Sequence, residues 1–294
     1  MKPKGEVILT RSIKIAGFSS ILFLLLIFAF LLREGLPTLG EVSLSDLFSP
    51  RWYPIEKYFG ILPLIGGSLL VTFFSILIAL PFGVGTAVYI AEIAPQGIKQ
   101  VLKPVIEILA GIPSVVLGFI GIQVLVPFLR RLLDLPTGLT AFSGAFLLAL
   151  ISIPTIVSIA EDALYAVPKS YREGAVALGA SQWETIWGVT LPAARTGVLT
   201  AVMLGIGRSL GETMAVMMVT GNAPVLPSSL NALFMPARTM TATIASEMGE
   251  VASGSSHYHV LFFIGIILFV LSLIINVAAS WVNLRRRGRE QLVS

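Results

Sequence analysis

The run from Ile13 to Leu32 is twenty residues long and carries a single charge, Lys14, at its entry. Backbone N–H and C=O groups find no water in hydrocarbon, so a run of this kind folds as a helix. About 20 residues suffice to cross the roughly 30 Å core of a bilayer. Five more stretches of the same character follow: Phe59 to Ile93, Val105 to Leu129, Leu139 to Ala160, Ala193 to Thr220 and Val260 to Val282. Charged residues make up only 12% of the chain, where a soluble domain has about 25%. The pattern predicts an all-α polytopic membrane protein with six transmembrane helices. The first run follows Lys2, Lys4 and Arg11, the flank of a secretory signal. It is longer than a signal core of about 7–15 residues, and no A-x-A site follows, so it reads as an uncleaved span.

Six spans put both ends on one side. Thirteen Lys and Arg fall in the loops and tails of that side, Arg285, Arg286, Arg287 and Arg289 among them, and six fall on the other. The positive-inside rule then makes both termini cytoplasmic. Arg130 and Arg131 run against the bias, with Asp134 close by.

The chemistry that the chain can carry is narrow. There is no cysteine, which excludes disulfides and thiolate metal sites, and two histidines, His257 and His259, are too few for a metal site. No GxxxxGK[ST] string occurs, so the chain should not hydrolyse ATP alone. Neither a Ser/His/Asp set nor HExxH is present, so no catalytic residue and no cofactor is expected. Basic–aromatic interleaving is missing too, which argues against nucleic acid.

Three of the spans contain helix breakers: Pro81, Gly83 and Gly85 in the second, Gly111-Ile112-Pro113 in the third, and Pro154 in the fourth. Breaks free backbone groups that lipid cannot satisfy, so they should face protein or a water-filled path. A conduit is one reading, and ordinary kinking in a static bundle is the other.

Arg208 and Glu212 lie within the fifth span, four residues apart and so on one helix face if the helix is continuous. At 1.5 Å per residue Arg208 is about 20 Å into the span, where an ionisable group is a functional-site hypothesis unless it serves packing alone. A guanidinium fork also matches a tetrahedral oxyanion. Gly207, Gly211 and Ala215 form a small-residue ridge beside the pair, suited to close helix contact. Lys103 and Glu107 read as a structural pair, Glu161 and Asp162 as a membrane junction, and Glu247 and Glu250 as solvated or in contact with an external partner.

Between the fourth and fifth spans lies SYREGAVALGASQWETIWGVTLP, residues 170–192. It holds two Ser-x-x-Glu helix starts, Ser170…Glu173 and Ser181…Glu184, of the kind that form capping boxes. Gly179 lies between them, suited to a left-handed helix end. Ala175, Leu178, Gly179, Trp183, Ile186 and Trp187 recur at helical steps and predict one small or apolar face. This is a helix–turn–helix bracket.

Glu173-Gly174-Ala175, then Gly179, then Val189-Thr190-Leu191-Pro192 resembles the EAA loop of bacterial ABC importer permeases, with Gly174 for the usual alanine and Val189 for the usual isoleucine. Residues 110–121, 205–222 and 241–255 resemble the C-type permeases of phosphate importers, and the resemblance spans nearly the whole chain. It implies a type I, MetI-like permease core over residues 61–283, with a first helix and connection at 1–60, the coupling loop at 169–192 and a basic cytoplasmic tail at 284–294. It implies an A-type permease partner, two copies of a cytoplasmic ATP-binding subunit and a periplasmic phosphate-binding protein, in a lipid inner membrane. It further implies that Glu173, Gly174, Ala175, Gly179, Leu191 and Pro192 couple to the ATPase, and that Arg208 and Glu212 serve the substrate path. Sulfate or molybdate permeases share the loop, and a scaffold relaying phosphate status to a signalling kinase is a further reading.

Overall fold

The structure, a computed structural model, describes residues 4–290 and is helical almost throughout. Its principal helices are α1 (Lys4–Gly35), α2 (Leu62–Ile93), α3 (Gln96–Gly111), α4 (Ser114–Leu132), α5 (Ala141–Tyr165), α6 (Lys169–Ala177), α7 (Gln182–Gly211), α8 (Met214–Val219), α9 (Met240–Glu247) and α10 (Ser256–Glu290). Six of them, α1, α2, α4, α5, α7 and α10, contain stretches long and apolar enough to cross a membrane. The chain is a multi-pass membrane protein.

The third span differs from its sequence reading. Helix α3 stops at Gly111, Ile112 and Pro113 are extended, and α4 starts at Ser114. Val105 to Gly111 therefore belong to a separate amphipathic helix, none of whose residues is buried, and the span proper is Ser114–Leu132. Pro81 and Pro154, by contrast, lie inside continuous helices, so the second and fourth spans are not broken there.

The centre is α2, α5 and α7. Their contact is close because small residues remove side chains from it. A Cβ on Gly83 of α2 would lie 2.8 Å from Ile156 Cγ2, and one on Gly205 of α7 would lie 2.7 Å from Ile156 Cγ1. Ile156 itself is fully buried between the two. Helix α1 lies outside this core along α10, with Phe28 stacked on Phe269 at 4.8 Å and most of its own surface exposed. The segment expected as a tail from residue 284 continues α10 through Glu290, and residues 291–294 lie outside those described.

At the end away from the bracket, the hairpin Trp52–Tyr53 with Tyr58–Phe59 packs over Leu47, Ile61, Met240 and Leu261. Glu247 is not solvated there. Its carboxylate meets Arg238 at 2.6 Å and His257 at 2.8 Å, and accepts a hydrogen bond from Trp52 Nε1 at 3.2 Å. His259 pairs with Glu41 at 2.8 Å, while Glu250 is exposed.

Three π turns interrupt the long helices, at Tyr89–Ile93, Gly121–Leu125 and Ile186–Thr190. A proline stands two residues beyond each: Pro95, Pro127 and Pro192. A proline ring clashes with the carbonyl four residues earlier, and a widened turn carries the helix past that clash at Pro127 and Pro192.

Candidate functional site

The bracket folds from local signals, though only one of its two capping boxes forms. Ser181 Oγ accepts from the Glu184 N–H at 3.3 Å, and Glu184 Oε2 accepts from the Ser181 N–H at 2.8 Å. Ser170 makes no such cap, because Pro168 already precedes the first helical residue, Lys169, and leaves Ser170 inside α6. Gly179 has φ +88°, the left-handed region that favours glycine. There the Ala180 N–H reaches Ala175 O and the Gly179 N–H reaches Val176 O, closing α6 in a Schellman motif.

The expected apolar face is divided. Ala175 and Ile186 are buried against the bundle, but Leu178 is 91% exposed, Trp187 63% and Trp183 60%. Glu173, Gly174 and Pro192 are exposed and Leu191 is half-buried. With Tyr171 and Val176 also exposed, the bracket leaves five large apolar side chains open rather than packed within the chain.

A long-range ion pair and a hydrogen bond fasten the bracket from behind. Arg172 of α6 donates from Nη2 to Glu92 Oε1 at 2.6 Å and from Nε to both carboxylate oxygens at 3.1 Å. Its Nη1 and Nη2 also reach Val167 O and Leu164 O, each at 2.8 Å. Gln182, in the other arm, donates to the Glu92 backbone carbonyl at 3.0 Å. Glu161 is buried and pairs at 3.5 Å with Lys103, so the expected Lys103–Glu107 pair does not form.

Arg208 and Glu212 are likewise not a pair. Helix α7 ends at Gly211, and Glu212 is extended with ψ 131°, so the two residues do not share a helix face. Glu212 Oε1 instead accepts from the backbone N–H groups of Thr213 (3.1 Å) and Ala215 (3.3 Å), satisfying orphan donors at the start of α8. The Glu212 carbonyl accepts from Thr241 Oγ1 at 3.0 Å, tying the break to α9. Arg208 stands apart on an exposed face. It reaches Thr155 Oγ1 at 3.4 Å and Ala110 O at 3.5 Å, both at the long limit of hydrogen bonding. Ala110 is in the last turn of α3, whose carbonyl end favours a cation. The guanidinium therefore keeps most of its donor capacity.

On the inward face next to Arg208, three hydroxyls hold α7 in place. Ser209 Oγ lies 2.8 Å from Ser152 Oγ and 3.1 Å from Ser75 Oγ, and all three serines are buried. The small-residue ridge is also elsewhere than expected. A Cβ added to Gly207 or Gly211 would meet nothing within 4 Å, whereas Gly197 and Gly205 pack directly against α5. Gly197, Ala201, Gly205 and Ser209 recur every fourth residue and make the inward face. Among the described residues, no group of three or more His, Cys, Asp or Glu is placed to hold a metal ion.

A bundle of six candidate spans with a helical bracket at the head of the fifth has the build of a transport permease of the ABC importer class, and the comparisons with known proteins place it there. The chain belongs to the family of binding-protein-dependent transport system inner membrane components, whose sequence profile matches residues 79–288. It is 44% identical over 250 residues to the probable ABC transporter permease protein YqgH of Bacillus subtilis, covering 84% of this chain and 80% of that one. It is 36% identical to the phosphate transport system permease protein PstC of Mesorhizobium japonicum, covering 85% and 81%. Among solved structures, the inward-facing MetNI methionine ABC transporter matches with a TM-score of 0.60 at 20% identity, over 79% of this chain and 98% of that one. A bacterial alginate ABC transporter, solved with its alginate-bound periplasmic protein, matches at 0.55 and 16% identity over 92% and 94%. Those two likenesses carry the fold.

Proposed function

We propose that the chain is the C-type membrane subunit of an ATP-driven phosphate importer. A periplasmic binding protein delivers phosphate to it and an A-type permease subunit. Two copies of a cytoplasmic ATPase drive the cycle by docking on the bracket, with Glu173, Gly174, Ala175 and Gly179 in the docking surface and Leu191 and Pro192 leading from it into α7. Both termini then lie in the cytoplasm, in keeping with the excess of Lys and Arg on that side.

The observation that carries the reading is the Arg208 guanidinium, in the last turn of α7 and without a carboxylate partner among the described residues. A planar fork bound only through long contacts can exchange them for the oxygens of a tetrahedral anion. The phosphate transport permeases among its relatives support that choice of anion. Glu212 contributes by capping α8 beside the path, which leaves Arg208 uncancelled.

The test is uptake of radiolabelled phosphate into vesicles holding the reconstituted complex, with ATP and binding protein supplied or withheld. Uptake should need both and should be lost in Arg208→Ala. Uptake that needs neither would refute the importer reading, and transport of sulfate or molybdate in place of phosphate would move the ligand to another oxyanion.

A further inference from the structure

Helices α5 and α7 give the bracket its covalent routes into the membrane, and the geometry points to a further, non-covalent one. Glu92 sits in the π turn that ends α2, with its side chain 9% exposed. It is the meeting point of three segments. Arg172 binds its carboxylate from α6, Gln182 binds its carbonyl from the start of α7, and Arg172 simultaneously holds the Leu164 and Val167 carbonyls at the end of α5. Both arms of the bracket therefore grip one residue of α2. Beneath them, Ile90 of that π turn and Ile186 of the bracket's own π turn are buried in one apolar cluster with Leu164 and Val167.

We infer that Glu92 and Arg172 are positioning residues that transmit movement of the bracket to α2, so that α2 moves with the covalently attached α5 and α7 when the ATPase does. The pair is suited to this because it is bidentate, mostly removed from water and backed by carbonyls. A fork held at five points resists rotation as well as separation. An ordinary exposed ion pair would do neither, being worth little and freely re-formed. A π turn is also a place where a helix can change its local winding at small cost, since its hydrogen-bond pattern is already irregular. Pulling on Glu92 acts on the turn itself, and from there on Gly83 and the close α2–α5–α7 contact around Ile156.

The inference rests on the reading of the bracket as the ATPase contact. Its test uses the full complex in proteoliposomes and compares phosphate moved per ATP hydrolysed in wild type, Glu92→Gln, Arg172→Gln and Arg172→Lys. ATPase copurification is measured on the same preparations. The glutamine variants should retain the ATPase and its basal hydrolysis of ATP, measured without binding protein, while phosphate moved per ATP falls about fivefold or more, the size of a typical coupling energy. Arg172→Lys, which keeps the charge but not the fork, should fall less. An unchanged ratio overturns the inference. So does a parallel fall of uptake, hydrolysis and copurification, which marks a structural role. If wild type moves no phosphate, the importer reading fails on its own. The Glu92–Arg172 link is then read from stimulation of ATP hydrolysis by the binding protein, which Glu92→Gln should abolish and which, if preserved, refutes the inference.

Discussion

Ser209 Oγ lies 2.8 Å from Ser152 Oγ in the closed interior, while the preceding residue, Arg208, faces the open side of the same helix. Adjacent residues on a helix are about 100° apart, so fixing Ser209 fixes the direction of Arg208. Ser209→Ala removes the bonds to both Ser152 and Ser75. Interhelical hydrogen bonds in membranes contribute about 0.6 kcal/mol each, so thermal unfolding in detergent should show a loss near 1 kcal/mol. The half-saturating phosphate concentration should rise more than the maximal rate falls. An unaltered unfolding midpoint together with unaltered uptake would remove the three serines from this role.

Glu212 separates charge from hydrogen bonding. Its carboxylate accepts from two backbone N–H groups of α8, and the amide oxygen of a glutamine can accept the same two. Glu212→Gln should therefore retain most uptake, whereas Glu212→Ala should cost about 1 kcal/mol of stability, the size of a lost cap. Equal damage from both substitutions would mean that the negative charge matters in itself.

Two glycines of α7 should respond oppositely to substitution. A Cβ at Gly205 would meet Ile156 Cγ1 at 2.7 Å, and one at Gly207 meets nothing within 4 Å. Gly205→Val should destabilise by about 1–3 kcal/mol through overpacking. Gly207→Ala should leave the melting temperature of the isolated subunit unchanged or slightly higher, since alanine is the better helix former. Comparable destabilisation by both would contradict the assigned inward face.

Leu178 is the most open large apolar side chain of the bracket, at 91% exposure. If the bracket seats an ATPase, Leu178→Asp should weaken association by about 2 kcal/mol, as for a central interface residue. Insertion and the melting temperature of the membrane subunit should not change. Pull-down of the ATPase by tagged wild type and variant measures this directly, and full retention would move the docking surface away from the turn.

The six spans were legible because hydrocarbon permits so few structures, and each apolar run was long enough to register alone. Ser181 and Gly179 were legible for a similar reason, since a cap and a left-handed turn are settled within a few residues. Ser170 carried the same Ser-x-x-Glu spacing but lost its cap to Pro168, whose own geometry starts the helix earlier. The Arg208–Glu212 pair failed because spacing implies a shared face only while the helix lasts, and α7 ends between them. Arg172 with Glu92, and Ser209 with Ser75 and Ser152, left no trace in the sequence. Their partners are 80, 134 and 57 residues apart, and solitary serines in apolar runs look alike whether they bond across helices or not. The prolines after the π turns were visible, but a proline alone does not distinguish a kink from a widened turn.

The π turn at Ile186–Thr190 has one more implication. It is in effect a single inserted residue within α7, and one residue advances an α-helix by about 100°. The azimuth at which Trp183 looks out, relative to Arg208 further along, is thus set by a residue count, as the phase of two cams on one shaft is set by how they are keyed. A permease of this build could keep every docking contact and every pathway contact and still fail to transport, merely by losing one residue between them. Insertions and deletions in that short interval should therefore be far less tolerated than substitutions, even where no individual side chain there touches a partner or the anion.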